Sequence, residues 1–126
     1  MSARGLVDRI GGPERLRTIL DRFYARLAVD PLVGFFFAGR DLDAIAAGQW
    51  AFLMRAFGAV ERYHGKNPAS AHHDLAPILR GHFDRRLVIL RELLRDEGVE
   101  AADIDAWIKV EESFRRRIVA DEPSRT

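Results

Sequence analysis

All four histidines of the chain lie between Tyr63 and Phe83, in the run Tyr63-His64-Gly65-Lys66-Asn67-Pro68-Ala69-Ser70-Ala71-His72-His73-Asp74-Leu75 and its continuation to His82-Phe83. Neutral imidazole is the side chain most used to hold a metal or a haem iron, so this run is the candidate site for either. The competing reading of the same residues is a surface loop in which the imidazoles are incidental. Consecutive positions on a helix point about 100° apart, so His72, His73 and Asp74 cannot converge on one ion. The chain has no cysteine, which excludes disulfides, thiolate metal sites, a thiolate nucleophile and the Cys-x-x-Cys-His attachment of a covalent haem. Any metal must be held by nitrogen or oxygen.

Two further polar residues stand out by position. Tyr24 sits beside an apolar stripe, where its hydroxyl needs a partner if the ring is buried. Gln49 lies one turn from Ile45 on an apolar helix face, and such an amide has either a structural partner or a ligand.

The elements that must position these groups are helical. A turn or two over residues 3 to 10 is stopped by Gly11-Gly12-Pro13, where the proline suits the first turn of a second helix. From there to Ala28, Leu16, Ile19, Leu20, Phe23 and Leu27 recur at three and four, the period of an amphipathic helix. Asp30-Pro31 breaks it, and Leu32-Val33-Gly34-Phe35-Phe36-Phe37-Ala38-Gly39 is too short for an ordinary helix. That run is a connector packed onto something large and flat, or a plug of the core. Asp41 caps a helix to about Phe57, with Ile45, Gln49, Phe52, Leu53 and Ala56 on one face and Trp50 and Phe57 bordering it. Gly58 ends it. Ser70 caps a short helix carrying His72 and Leu75, stopped by Pro77.

Leu79 to Asp96 is the most strongly periodic stretch, with Phe83, Leu87, Leu90 and Leu94 on one stripe, Ile89 and Leu93 widening it, and Gly98 just past its end. A last helix from Ala101 to Val119 turns Ile104, Trp107, Ile108, Phe114 and Ile118 inward and leaves Arg115-Arg116-Arg117 as a solvated face at the negative end of its dipole. No alternating strand pattern, repeat or low-complexity segment occurs, which predicts an all-α fold of four or five main helices.

At 126 residues, 48% hydrophobic and 31% charged, the chain is one domain by length, residues 1–126, able to bury a core without disulfides. A net charge of +1 provides no field for nucleic acid or an anionic membrane surface. The N-terminus is charged too early for a signal peptide, and no apolar stretch approaches bilayer length, so the expected location is cytoplasmic.

Taken in order, Gly11-Gly12-Pro13, Phe23-Tyr24, Phe36-Phe37-Ala38-Gly39, Gln49, Tyr63-His64-Gly65, Ala71-His72 and His82-Phe83 resemble the truncated haemoglobins over roughly residues 5 to 119. The resemblance implies a globin-like two-over-two helical sandwich holding non-covalent haem b. It implies His72 as the axial iron ligand, with His73 its rival, and Phe37, or Phe36 one register away, as the aromatic wedged against the haem. Tyr24 and Gln49 would be the distal donors of the family group with Tyr and Gln. Ile45 would take the place where vertebrate globins have a distal histidine, leaving the sixth iron position open. Phe52 and Leu53 match positions lining or gating an apolar tunnel. Tyr63 belongs to the aromatic-x-Gly loop before the ligand, while His64, Lys66 or Arg62 would meet the propionates. His82 would be structural.

The chain departs from the family pattern at Gly58-Ala59, where two glycines are usual, and in the short connection through Pro77. It also has no tryptophan in the first turns of the helix after that connection. The implied function is binding of O2, NO and CO. In resembling proteins tightly held O2 converts NO to nitrate, a reaction that needs an external reductase. The alternative from another class is a haem-free globin-fold interaction or sensor module.

Overall fold

The structure is a computed structural model and describes residues 3–59 and 76–121. In chain order these form α1 (Leu6–Arg9), α2 (Pro13–Ala28), a 3-10 turn (Gly34–Phe37), α3 (Leu42–Ala56), α4 (Arg80–Asp96), α5 (Ala101–Ser113) and α6 (Arg115–Ile118). Among the described residues there is no strand, and Ile78 and Val119 form an isolated parallel bridge. The aromatic-x-Gly loop and the candidate ligands, Tyr63, His64, Lys66, His72 and His73, lie outside the described residues.

The apolar stripe of α2 organises the packing. Leu16, Ile19, Leu20, Phe23 and Leu27 are at most 1% exposed, and each such burial contributes about 1.5–3 kcal/mol. That exceeds the marginal stability of an isolated helix of this length. α2 packs on α3, on α4 and on the 3-10 turn, while α4 packs on α5 and α1 on α5 and α2. The α2–α3 pair thus meets the α4–α5 pair, the two-over-two arrangement that the resemblance implies.

Local signals place the ends. The Asp41 side chain accepts from the Ala44 N–H at 3.2 Å and caps α3. Trp50 Nε1 donates to the Pro13 carbonyl at 2.8 Å and pins α3 to the start of α2. Past α3 and α4, Gly58 and Gly98 take φ of 77° and 78°, the left-handed region that glycine enters without a Cβ clash. The N–H groups of Gly58 and Ala59 then return to Arg55 and Met54, and those of Gly98 and Val99 to Arg95 and Leu94, which closes the free carbonyls of each last turn.

Two expectations are corrected. The last helix is not continuous to Val119: it ends at Ser113, and α6 restarts after Phe114. Ile108, Phe114 and Ile118 are half-buried, unlike the covered Ile104 and Trp107. Arg115 does not belong to a solvated face. Its side chain is mostly covered, bonds Glu112 and Asp84, and lies 4.6 Å over the Phe83 ring. The hydrogen bonds it donates to Glu112 and Asp84 outweigh partial burial and raise its pKa above the ordinary value.

Candidate functional site

The site is built on three surfaces, the first being the end of α2 around Tyr24. Helical spacing puts Tyr24 next to Phe23 at the edge of the buried stripe, and its ring is 5% exposed. Phe23 lies 5.3 Å from it and Phe37 meets it edge-on at 5.8 Å, so the ring is fixed from two sides. Arg86 of α4 donates to Tyr24 Oη at 3.4 Å. The same guanidinium donates to Glu111 of α5 at 3.2 and 3.4 Å and lies 4.9 Å above the Phe23 ring. Glu111 in turn accepts from Trp107 Nε1 at 3.2 Å. Burial opposes the Arg86 charge, but Glu111 and Tyr24 more than offset it and raise its pKa above the ordinary value.

The second surface is one stripe of α3. Ile45, Gln49, Phe52 and Leu53 recur at four, seven and eight positions and share a face. Leu53 is fully in the core. Ile45, Gln49 and Phe52 are half-buried, and Phe52 meets Phe114 edge-on at 5.0 Å. The Gln49 amide has no hydrogen-bond partner among the described residues.

The third surface is the 3-10 turn, and its path is set by Asp30. The Asp30 carboxylate accepts from the Leu32 and Val33 N–H groups at 3.0 and 3.3 Å and from Arg85 of α4 at 2.8 and 3.1 Å. These bonds, the Arg85 contact foremost, outweigh burial and hold its pKa below the usual carboxylate range. Gly34 passes so close to the end of α2 that a Cβ there would sit 2.7 Å from the Ala28 carbonyl oxygen. Only glycine allows this approach. The result is an aromatic ledge rather than a core plug: Phe35 is 54% exposed, Phe36 and Phe37 are half-buried, and none of the three is fully covered. Phe35 and Phe36 stack at 4.1 Å, and the His82 ring meets them edge-on at 5.5 and 5.0 Å. His82 Nδ1 accepts the Leu79 N–H at 3.0 Å, so this imidazole is used structurally at the start of α4.

The structure brings Tyr24 and Phe37 together, sets Phe36 with Phe35 and His82 on the ledge, and places Ile45, Gln49 and Phe52 on one stripe of α3, which packs on α2. Tyr63, Lys66, His72 and the rival His73 fall outside the described residues. What is described is an incompletely covered apolar wall with one unpartnered amide and one buried hydroxyl. Its uncovered aromatic and aliphatic surface fits a flat apolar group. Among the described residues no three His, Asp or Glu side chains converge on a metal position.

Arg86 and Glu111 were not anticipated from the sequence. The signal was a charged residue inside an apolar pattern: Arg86 falls three residues after Phe83 and four before Leu90, and Glu111 falls one turn after Trp107. A long cation at such a position is ordinarily read as reaching solvent.

Residues 5–120 match the bacterial-like globin family. A group 1 truncated hemoglobin of Chlamydomonas moewusii is 32% identical over 115 residues, 90% of this chain and 67% of that protein. Among solved structures, a glutamine-to-glutamate variant of the truncated hemoglobin of Tetrahymena pyriformis, in its Fe(III) form, superposes with a TM-score of 0.84 at 28% identity. It covers 92% of this chain and 98% of that one. Other structures of the same protein carry a tyrosine-to-phenylalanine and a second glutamine-to-glutamate substitution. The 2/2 hemoglobin of Synechococcus, solved in the cyanomet state with covalently attached heme, has a TM-score of 0.79 at 26% identity, over 89% and 94% of the two chains.

Proposed function

The chain belongs to the bacterial-like globin family, and from that premise we propose that it binds non-covalent haem b through His72 and uses Tyr24 and Gln49 to retain O2 for NO dioxygenation. Haem-based binding of diatomic gases follows from the family itself. Bound haem would supply an iron that takes up O2, NO or CO. The observation that carries the finer reading is that the packed helices α2 and α3 each hold a polar group with unused donors, a buried Tyr24 hydroxyl and a Gln49 amide that no described residue satisfies.

Each residue then has a physical task. Phe36 and Phe37 orient the flat ring, and Ile45 and Phe52 exclude water from the ligand side. Tyr24 Oη–H donates toward a ligand carrying partial negative charge, a bond strengthened by the low local dielectric. Gln49 adds an amide donor. Leu53 backs this wall from the core, while His64, Lys66 or Arg62 would meet the propionates, with Tyr63 in the loop before the ligand. The tyrosine and two glutamines substituted in the Tetrahymena protein are spaced as Tyr24, Ile45 and Gln49 are here, which supports the same placement, with Ile45 standing where that protein has a glutamine. Slow gas release suits a reaction more than transport: NO, O2 and one electron give nitrate, the electron coming from an external reductase. The absence of cysteine supports haem held without a thioether link. No described helix is long and apolar enough to cross a membrane, and this reading keeps the protein in the cytoplasm.

The test is the absorption spectrum of the purified protein, oxidised and dithionite-reduced, with and without added haemin. A Soret band and a five-coordinate ferrous spectrum are expected, lost in His72→Ala and kept in His73→Ala, with the pigment extracted by acidified butanone. Reduced protein given O2 and NO should form nitrate. A featureless spectrum even with haemin would overturn the reading in favour of a haem-free interaction or sensor module.

A further inference from the structure

Tyr24 Oη has one proton to give and lone pairs to accept with, and these two roles face different parts of the molecule. A guanidinium carries donors only. The 3.4 Å contact therefore has one possible sense: Arg86 donates and the phenol oxygen accepts. A phenolic proton prefers the ring plane, on one side of the oxygen or the other. The guanidinium, which also lies 5.7 Å over the Tyr24 ring, repels a proton turned toward it, so the proton takes the in-plane position farther from Arg86. No described residue accepts it there, although the ring is 5% exposed, and a buried hydroxyl with an unused donor is a group waiting for an acceptor.

Arg86 is itself held. Its side chain is one-fifth exposed, against 8% for Glu111, and its two bonds to Glu111 together with the Phe23 ring beneath it prevent it from swinging out to water. Glu111 is fixed by Trp107 Nε1, and Trp107 by the edge-on Phe57 ring 5.3 Å away. The order of donation runs from Trp107 to Glu111, and from Arg86 to both Glu111 and Tyr24.

We propose that Arg86 is a positioning residue for the distal hydroxyl: it occupies the accepting side of Tyr24 Oη and so directs the phenol proton to the ligand, with Glu111 as the buried counter-ion that keeps it there. The inference rests on the reading of Tyr24 as the gas-ligand donor. An amide in place of Arg86 could present either its donor or its acceptor and would leave the proton free to turn back. Arginine cannot.

The experiment compares the haem-loaded protein with Tyr24→Phe, Arg86→Met, the charge-free pair Arg86→Met/Glu111→Leu, and that pair combined with Tyr24→Phe. The charge-free pair removes both ions at similar volume and protects against failure of the single variant to fold. Tyr24→Phe should raise the O2 dissociation rate by about one to two decades, and the Arg86 variants by about tenfold, the usual worth of a charge-assisted bond. The C–O stretching frequency of the CO-treated ferrous protein should rise in every variant. In the Tyr24→Phe background the pair should add nothing to either quantity. Thermal unfolding of the same set should show a coupling of about a factor of five in the unfolding constant between Tyr24 and Arg86. Wild-type dissociation and stretching frequency in both Arg86 variants, beside a clear Tyr24→Phe effect, would overturn the inference. Wild-type values in Tyr24→Phe itself would overturn the donor role of Tyr24, and that variant alone tells the two failures apart.

Discussion

The two sides of Tyr24 solve the problem of buried polarity differently. Toward α4 and α5, every polar group meets a partner: Trp107 Nε1, the Glu111 carboxylate, the Arg86 guanidinium and the Tyr24 oxygen form one connected set. Toward α3 and the 3-10 turn, the Gln49 amide is half-buried between Ile45 and Phe52 with no partner among the described residues, and Phe35, Phe36 and Phe37 leave apolar surface uncovered. A buried polar group costs the same on either side. The first region is complete in itself, so it stabilises the fold. The second is complete only with something added, so it is where ligand chemistry belongs. In the proposed reading Tyr24 takes part in both, its oxygen in the first and its proton in the second.

Breaking the completed side should have the largest effect. Glu111→Leu leaves the Arg86 charge and the Trp107 N–H without their acceptor and should cost about 3–5 kcal/mol in urea unfolding, whereas Arg86→Met/Glu111→Leu should recover most of it. Equal losses in the single and the paired variant would show that the set is not coupled.

An intermediate effect is expected at Asp30, which shapes the ledge of the open side. Its folded pKa lies below the unfolded value because Arg85 and the Leu32 and Val33 N–H groups bind the carboxylate. Its contribution is therefore present above the unfolded carboxylate pKa and is lost as the pH falls through the folded one. Tm measured from neutral to acid pH should show wild type above Asp30→Asn near neutrality, the gap closing on acidification. A gap independent of pH would assign the effect to shape rather than charge.

The smallest effect sharpens the contrast. Without haem, Gln49→Leu should leave thermal stability unchanged or slightly raised, since no described bond is broken. A loss of about 1 kcal/mol, the ordinary worth of a paired amide, would reveal a structural partner and move Gln49 to the completed side.

Much of this was legible before the fold. The stripes of α2 and α4 carry their burial in their spacing, and the glycines past α3 and α4 announce the ends of those helices, because both are consequences of local geometry. Gln49 was legible as an anomaly for the same reason: helix period alone puts an amide on an apolar face. The aromatic run by composition favours a core plug over a connector packed on something flat, and only the Asp30 turn and the Gly34 approach set it as a ledge. Arg86 was missed because a lone cation in an apolar stripe ordinarily extends to water, and Arg115 was misread because a run of three arginines at a helix C-terminus ordinarily forms a solvated face.

The sequence by itself determined that the chain is helical, where α2 and α3 stop and which faces α2 and α4 bury, and it placed every imidazole in one run, because these properties depend on neighbours within a few residues; the break after Ser113 it did not show. Only the tertiary structure decided that Arg86 stays inside, that Glu111 and Trp107 hold it, and that Tyr24 accepts from Arg86 while no described residue accepts its proton. A buried charge is tolerated only where another element brings its partner within bonding distance, and Arg86 and Glu111, on different helices, meet only after α4 packs on α5.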